Sequence, residues 1–247
     1  MPIRTKIRAK TAPAVSVSSL RVSLNRGAEG NGMTDAMVVE LTGIINEAPK
    51  TSRVVVFSGE GNDFCIGRAG VKPPPADSQA LDRRRDFDTV FTCYGAFRRC
   101  PIPIVGVVQG GALGLGCALA ALCDITIAGD KATFQVPEMA HHIMPGMVLS
   151  ALIDRVPRKA IMYLVHTTAT IGAERALMFG IVSEVVPHAQ LGAKVEEVCA
   201  AILKAAPIAT EGVKEYVSRA MDMDVAGAVD FARNLHAVLN SSREIRK

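Results

Sequence analysis

The sequence predicts an α/β protein in which mixed βα units are followed by a helical tail. Short apolar runs at residues 53–57 and 102–108 have the length of buried strands. Segments with apolar residues at helical spacing separate them. Beyond Gly146 the pattern is helical nearly to the end, broken by one short apolar run at residues 181–186.

Taken in order, residues 15–24 alternate as a strand does, and residues 25–31 are turn-like. A helix is predicted from Thr34 to about Asn46, with Met37, Val38, Leu41, Ile44 and Ile45 on one face and Thr34 as its N-cap. The strand at 53–57 runs into a loop, Ser58 to Asn62. Residues 71–78 contain Pro73, Pro74 and Pro75, which exclude helix and central strand. A helix is expected over 79–99, then the strand at 102–108. A glycine-rich turn over 110–116 leads into a short buried helix at 117–122, and two short strands follow at 125–128 and 133–136. A division near residue 190 separates an α/β core, residues 1–190, from a helical region, residues 191–247.

Composition narrows the function. Hydrophobic residues make up 49% of the chain and charged residues 21%, as in packed globular proteins. Tryptophan is absent and aromatics are 4%, so the core is aliphatic. The net charge of +4 is mild and no basic stripe is interleaved with aromatics, which argues against nucleic-acid binding. The six cysteines form no CxxC pair and no Cys/His cluster with metal spacing, so they are read as reduced and structural, no metal is expected, and a cytoplasmic location is. No apolar stretch reaches membrane-spanning length. The basic, acid-free residues 1–10 fit either a transit peptide or a frayed, solvated terminus.

The chemistry-bearing pattern is a pair of strand ends that each deliver a glycine turn. The first runs from Val54 to Gly59 and on to Phe64-Cys65-Ile66-Gly67-Arg68; the second runs from Pro103 to Gly110 and on to Leu113-Gly114-Leu115-Gly116-Cys117. Glycine lets backbone approach a ligand closely, and the second turn enters a helix whose first N–H groups are unpaired and suit a developing oxyanion. The spacing is not GxGxxG, so a dinucleotide fold is not indicated.

In combination these segments are more specific. FCIGRAG, PIPIVGVVQGGALGLGCALAALCDITIAGDKATFQVPE, GAERALMFGIVSEVVP and LNRGAEGNGMTDAMVVEL each resemble segments of the crotonase (enoyl-CoA hydratase/isomerase) family, and the resemblance runs from about residue 15 to 215. It implies a spiral of ββα units with a C-terminal helical oligomerisation region, assembled as a homotrimer or hexamer. It implies an acyl-CoA substrate, with no further cofactor, whose thioester carbonyl sits between the backbone N–H groups of Arg68 and Leu115. Such a donor is worth roughly 3–4 kcal/mol in a transition state. Ile66, Gly67, Gly114, Ala118, His141 and His142 fall on substrate-binding positions.

The resemblance places one of the two hydratase glutamates at Glu138 and the other at Ala118, which cannot handle a proton. Ala69 stands where the family usually has an aspartate. The expected activity is therefore double-bond isomerisation with Glu138 as the single acid/base, as in the family's Δ3,Δ2-enoyl-CoA isomerases. Hydration using Glu138 with a substitute group, His141 or His142, is an alternative. So are decarboxylation or C–C hydrolysis of a thioester, and a non-catalytic acyl-CoA-binding role. The Arg68 side chain is read as either a CoA phosphate contact or a surface ion-pair partner, and Asp124 as structural.

Overall fold

The computed structural model describes residues 7–11, 18–71, 75 and 77–245. The chain opens with β1 (Ile7–Thr11) and β2 (Ser19–Leu24), then α1 (Asp35–Glu47), β3 (Val54–Gly59), α2 (Ala80–Asp86) and α3 (Asp88–Arg99). The centre holds β4 (Ile104–Val108), β5 (Gly111–Leu113), α4 (Leu115–Leu122), β6 (Ile125–Gly129) and β7 (Thr133–Gln135). There follow α5 (Gly146–Leu152), α6 (Arg158–Thr167), β8 (Ile171–Gly172), α7 (Ala173–Met178) and β9 (Glu184–Val186), and then α8 (Leu191–Lys204), α9 (Pro207–Ala220) and α10 (Val225–Asn240).

The main sheet has the order β1-β2-β3-β4-β6-β9, parallel throughout except for the antiparallel β1–β2 pair at its edge. A second sheet, β5-β7-β8, lies beside it. Alternate residues of the central strands serve opposite faces, as period-two geometry requires. Val55, Phe57, Ile104 and Val108 join α1, α3 and α4 in the larger core, whereas Val54, Val56, Val105 and Ile127 meet Leu191, Val195 and Cys199 of α8. Both faces are covered, which explains why β3 and β4 read as continuous apolar runs.

Thr34 caps α1 as expected, its Oγ1 accepting from the Met37 N–H at 3.4 Å. Other expectations are corrected. The terminus read as frayed if it is not a transit peptide contains β1, which pairs with β2 over Ile7–Thr11. The predicted strand at 15–24 is observed over Ser19–Leu24, its residues 15–17 lying outside the described residues, as do Pro73 and Pro74 of the proline loop. The helix expected over 79–99 is two helices meeting at Phe87; α3 buries Val90, Cys93, Tyr94, Ala96 and Phe97, while Leu81 of α2 is exposed, so the apolar face does not run through both. The turn at 110–116 contains β5, and the buried helix after it starts two residues early, at Leu115.

The division near residue 190 falls between β9 and α8. Helix α8 lies on the sheet, while α9 and α10 pack on each other and α10 has no buried residue. The Lys214 ammonium of α9 ties this pair to the core, donating to the Asp124 carboxylate at 2.6 Å and to the Ile102 carbonyl at 2.9 Å. Asp124 in turn accepts from the Ile104 N–H at 2.8 Å, at the entry to β4. Among the described residues no helix is long and apolar enough to cross a membrane.

Candidate active site

The strands β3 and β4 are parallel neighbours, in register from Val55 with Ile104 to Ser58 with Val107, so their glycine turns leave the sheet at the same edge. Ligands of open α/β sheets sit at such carboxyl ends. The two turns are fastened to each other. The Cys65 N–H donates to the Gly111 carbonyl at 3.0 Å and the Leu113 N–H donates to the Cys65 carbonyl at 2.9 Å. The Asp63 carboxylate accepts from the Gly111 N–H at 2.7 Å. Asn31, fully buried, donates to the Glu60 and Asp63 carbonyls at 2.8 and 2.7 Å. Gly116 packs so closely that a Cβ there would lie 2.0 Å from the Cys65 carbonyl oxygen.

This frame sets out two backbone donors. The Met33 N–H donates to the Gly67 carbonyl at 2.9 Å and the Ala69 N–H donates to the Met33 carbonyl at 2.8 Å, a parallel bridge that leaves the N–H of the intervening Arg68 facing the other way. Leu115 is the first residue of α4, a position whose N–H has no helical carbonyl to bond. Among the described residues no backbone acceptor is assigned to either N–H. The residues that precede them are Gly67 at φ +115° and Gly114 at φ +50°, conformations that glycine alone adopts without strain.

Beyond β7 the chain reaches Glu138, which opens a 3-10 turn, Glu138–His141. Its Oε1 lies 2.8 Å from where a Cβ on Gly114 would stand, so the carboxyl group rests against the residue preceding the second donor. Burial pushes the Glu138 carboxyl above its ordinary range, while a hydrogen bond from its own backbone N–H and the nearby His141 pull it back in part. A carboxylate with a raised pKa, beside backbone donors with no acceptor, is equipped to move a proton while negative charge gathers on a carbonyl oxygen.

The remaining predicted positions separate. Ala118 is fully buried in α4. Ile66 is 47% exposed, and its N–H donates to the Gly30 carbonyl. His141 and His142 are exposed, with His142 in the left-handed conformation that ends the turn. The Arg68 guanidinium pairs with Asp35 at 2.5 Å, the ion-pair reading of the two, and Asp124 is structural as expected. The cysteines are buried thiols; burial pushes Cys65 up to about 11 and Cys117 up to about 12, which makes them poor nucleophiles. The sequence singled out neither Asp63 nor Tyr94. Tyr94 is a fully buried residue of α3 whose hydroxyl has no partner among the described residues. A side-chain bond to distant backbone leaves no periodic trace, and a tyrosine on an apolar helix face looks like any other core aromatic.

Comparison with known proteins identifies the family and the fold. The family model described as enoyl-CoA hydratase/isomerase matches residues 16–247. A Xenopus laevis enoyl-CoA hydratase domain-containing protein 3 is 33% identical over 173 residues, 69% of this chain and 58% of the relative. The chain thus spans less than two thirds of that relative's length. A probable enoyl-CoA hydratase of Mycobacterium leprae is 32% identical over 218 residues, 87% of this chain and 83% of the relative. In three dimensions, an enoyl-CoA hydratase of Mycobacterium smegmatis superposes with a TM-score of 0.90 at 23% identity, covering 98% of this chain and 94% of the other, which speaks to the fold alone. By the extent of the family match, the chain belongs to the enoyl-CoA hydratase/isomerase family.

Proposed function

We propose that the protein isomerises the double bond of an enoyl-CoA thioester, with Glu138 as its single acid/base. The observation that carries this reading is the placement of one carboxyl group, Glu138, against Gly114 beside the two donors, while the position of the other hydratase glutamate holds the buried methyl of Ala118. In the proposed reaction the Glu138 carboxylate takes a proton from C2 of a 3-enoyl thioester. The electron pair is delocalised onto the thioester oxygen, held by the N–H groups of Arg68 and Leu115. The protonated Glu138 then returns the proton to C4, leaving the double bond between C2 and C3. Atoms balance without water or an external acid.

Glu138→Gln keeps the shape and removes the base. Turnover should fall by roughly 10²–10⁴-fold, the range for positioned acid–base groups, while acyl-CoA still binds. Full activity in that variant would refute the assignment. A second reading, hydration, is favoured by the relatives' names and by the influence of His141 on Glu138. It requires that His141→Ala abolish water addition to a 2-enoyl-CoA. We also propose the trimeric or hexameric assembly that the resemblance implies; the exposed Val213, Val217, Met221, Val225 and Val229 on α9, α10 and their connection are the apolar surface that supports it.

A further inference from the structure

The two backbone donors are held unequally. The Leu115 N–H belongs to α4, whose eight residues are all buried and whose Gly116 abuts the Cys65 carbonyl. The Arg68 N–H belongs to a loop. Glycines at positive φ flank it, Gly67 at +115° and Gly70 at +72°, and a Cβ added to Gly70 would meet nothing within 4 Å. Glycine has the most conformational freedom to lose, so such a segment needs outside support to stay in one place.

The support comes from the stretch that leads into α1. The Ile66 N–H donates to the Gly30 carbonyl at 2.9 Å, and the Met33 backbone bonds Gly67 and Ala69 in turn. A Cβ on Gly32 would lie 3.1 Å from that of Ala69, so the two stretches run side by side. Across this contact the Arg68 guanidinium pairs with the Asp35 carboxylate at 2.5 Å. Asp35 is the first residue of α1, where the helix dipole favours negative charge, and α1 is fixed in the core by Met37, Val38, Leu41 and Ile45. Ion pairs between two exposed side chains contribute little. Here the Arg68 side chain is only 15% exposed, and its Nε has no partner among the described residues. Asp35 thus neutralises a largely desolvated cation, and removing it would leave that charge uncompensated.

We propose that Asp35 is a positioning residue for the first oxyanion donor: by pairing with the Arg68 guanidinium it holds the Arg68 N–H on the thioester oxygen. The inference rests on the reading in which that N–H receives the developing charge. The donor is a backbone group, so the side chain of the same residue is free to act as its tether. Arg68→Met removes the tether and keeps the N–H.

Asp35→Asn, Arg68→Met and the double variant test it. With 3-enoyl-CoA each single variant should lower kcat about tenfold, a part of the roughly 10²–10³-fold that loss of a whole donor costs, with KM nearly unchanged. The double variant should be no slower than either single one, because both remove the same interaction. Asp35→Glu should recover most of the rate. A second readout needs no turnover. Donors that polarise a thioester carbonyl lower its stretching frequency, which isotope-edited infrared spectroscopy reads on bound, carbonyl-labelled hexanoyl-CoA. That shift should shrink in Asp35→Asn and return in Asp35→Glu, whereas a residue that only stabilises α1 would lower the melting temperature and leave the stretch unmoved. Native kcat or a native carbonyl shift in Asp35→Asn, or additive losses in the double variant, would overturn the proposal. A carbonyl left unshifted by the unaltered protein removes the donor reading itself. A shift present there and unchanged in Asp35→Asn removes only the role of Asp35.

Discussion

The geometry around Gly114 leaves no space for a side chain. Its φ of +50° already disfavours any other residue, and a Cβ would lie 2.8 Å from Oε1 of Glu138. Gly114→Ala should therefore cost about 1–3 kcal/mol in backbone strain. It should also displace the carboxyl group, lowering kcat more than tenfold on the general scale of misplaced catalytic groups; a thermal melt and steady-state kinetics check both. The raised pKa of Glu138 gives a second prediction. A carboxyl whose folded-state pKa lies above its unfolded value favours folding at low pH, and that contribution is lost as the pH rises through the folded value. At neutral pH the charged Glu138 is a burden, so Glu138→Gln should melt higher than the unaltered protein, with the difference closing below the carboxylate range. The activity limb has the opposite sense, since the base must be charged and turnover falls as the pH drops through the same raised pKa.

Among the elements, β4 and α4 bear most directly on the site, because they carry the second donor. Asp124 secures them at the far end by accepting from the Ile104 N–H and pairing with Lys214, whose side chain is only 10% exposed. Asp124→Ala would leave that ammonium without its carboxylate, and a loss of about 3 kcal/mol is expected in chemical denaturation, a moderate case of a broken buried pair. At this scale the sequence was readable wherever burial imposes a period. The strands β3 and β4 and the helix α1 with its Thr34 cap all follow their apolar patterns. What escaped were elements too short to show a period, such as β5 and the two-residue β8, and the edge strand β1, defined by pairing rather than composition. The site divides in the same way. The glycine turns and Glu138 were legible because glycine and family pattern mark them, whereas Asp63 and Asn31 act through distant partners that no local spacing encodes.

For the molecule as a whole, a parallel sheet covered on both faces brings two turns, separate in sequence, to one edge, and the β5-β7-β8 sheet brings Glu138 to meet them. The C-terminal helix pair stands apart from this site and presents Val213, Val217, Met221 and Val225 to solvent. If that surface joins subunits, light scattering should give three or six times the 26.2 kDa chain mass, and a monomer would contradict it. The central claim is that one carboxyl group and two backbone donors suffice to move a proton across an enolate. Its most direct test is incubation with 3-enoyl-CoA and 2-enoyl-CoA in deuterated water, followed by mass spectrometry of the thioester products. The account predicts migration of the double bond with no gain of water, and accumulation of 3-hydroxyacyl-CoA would contradict it.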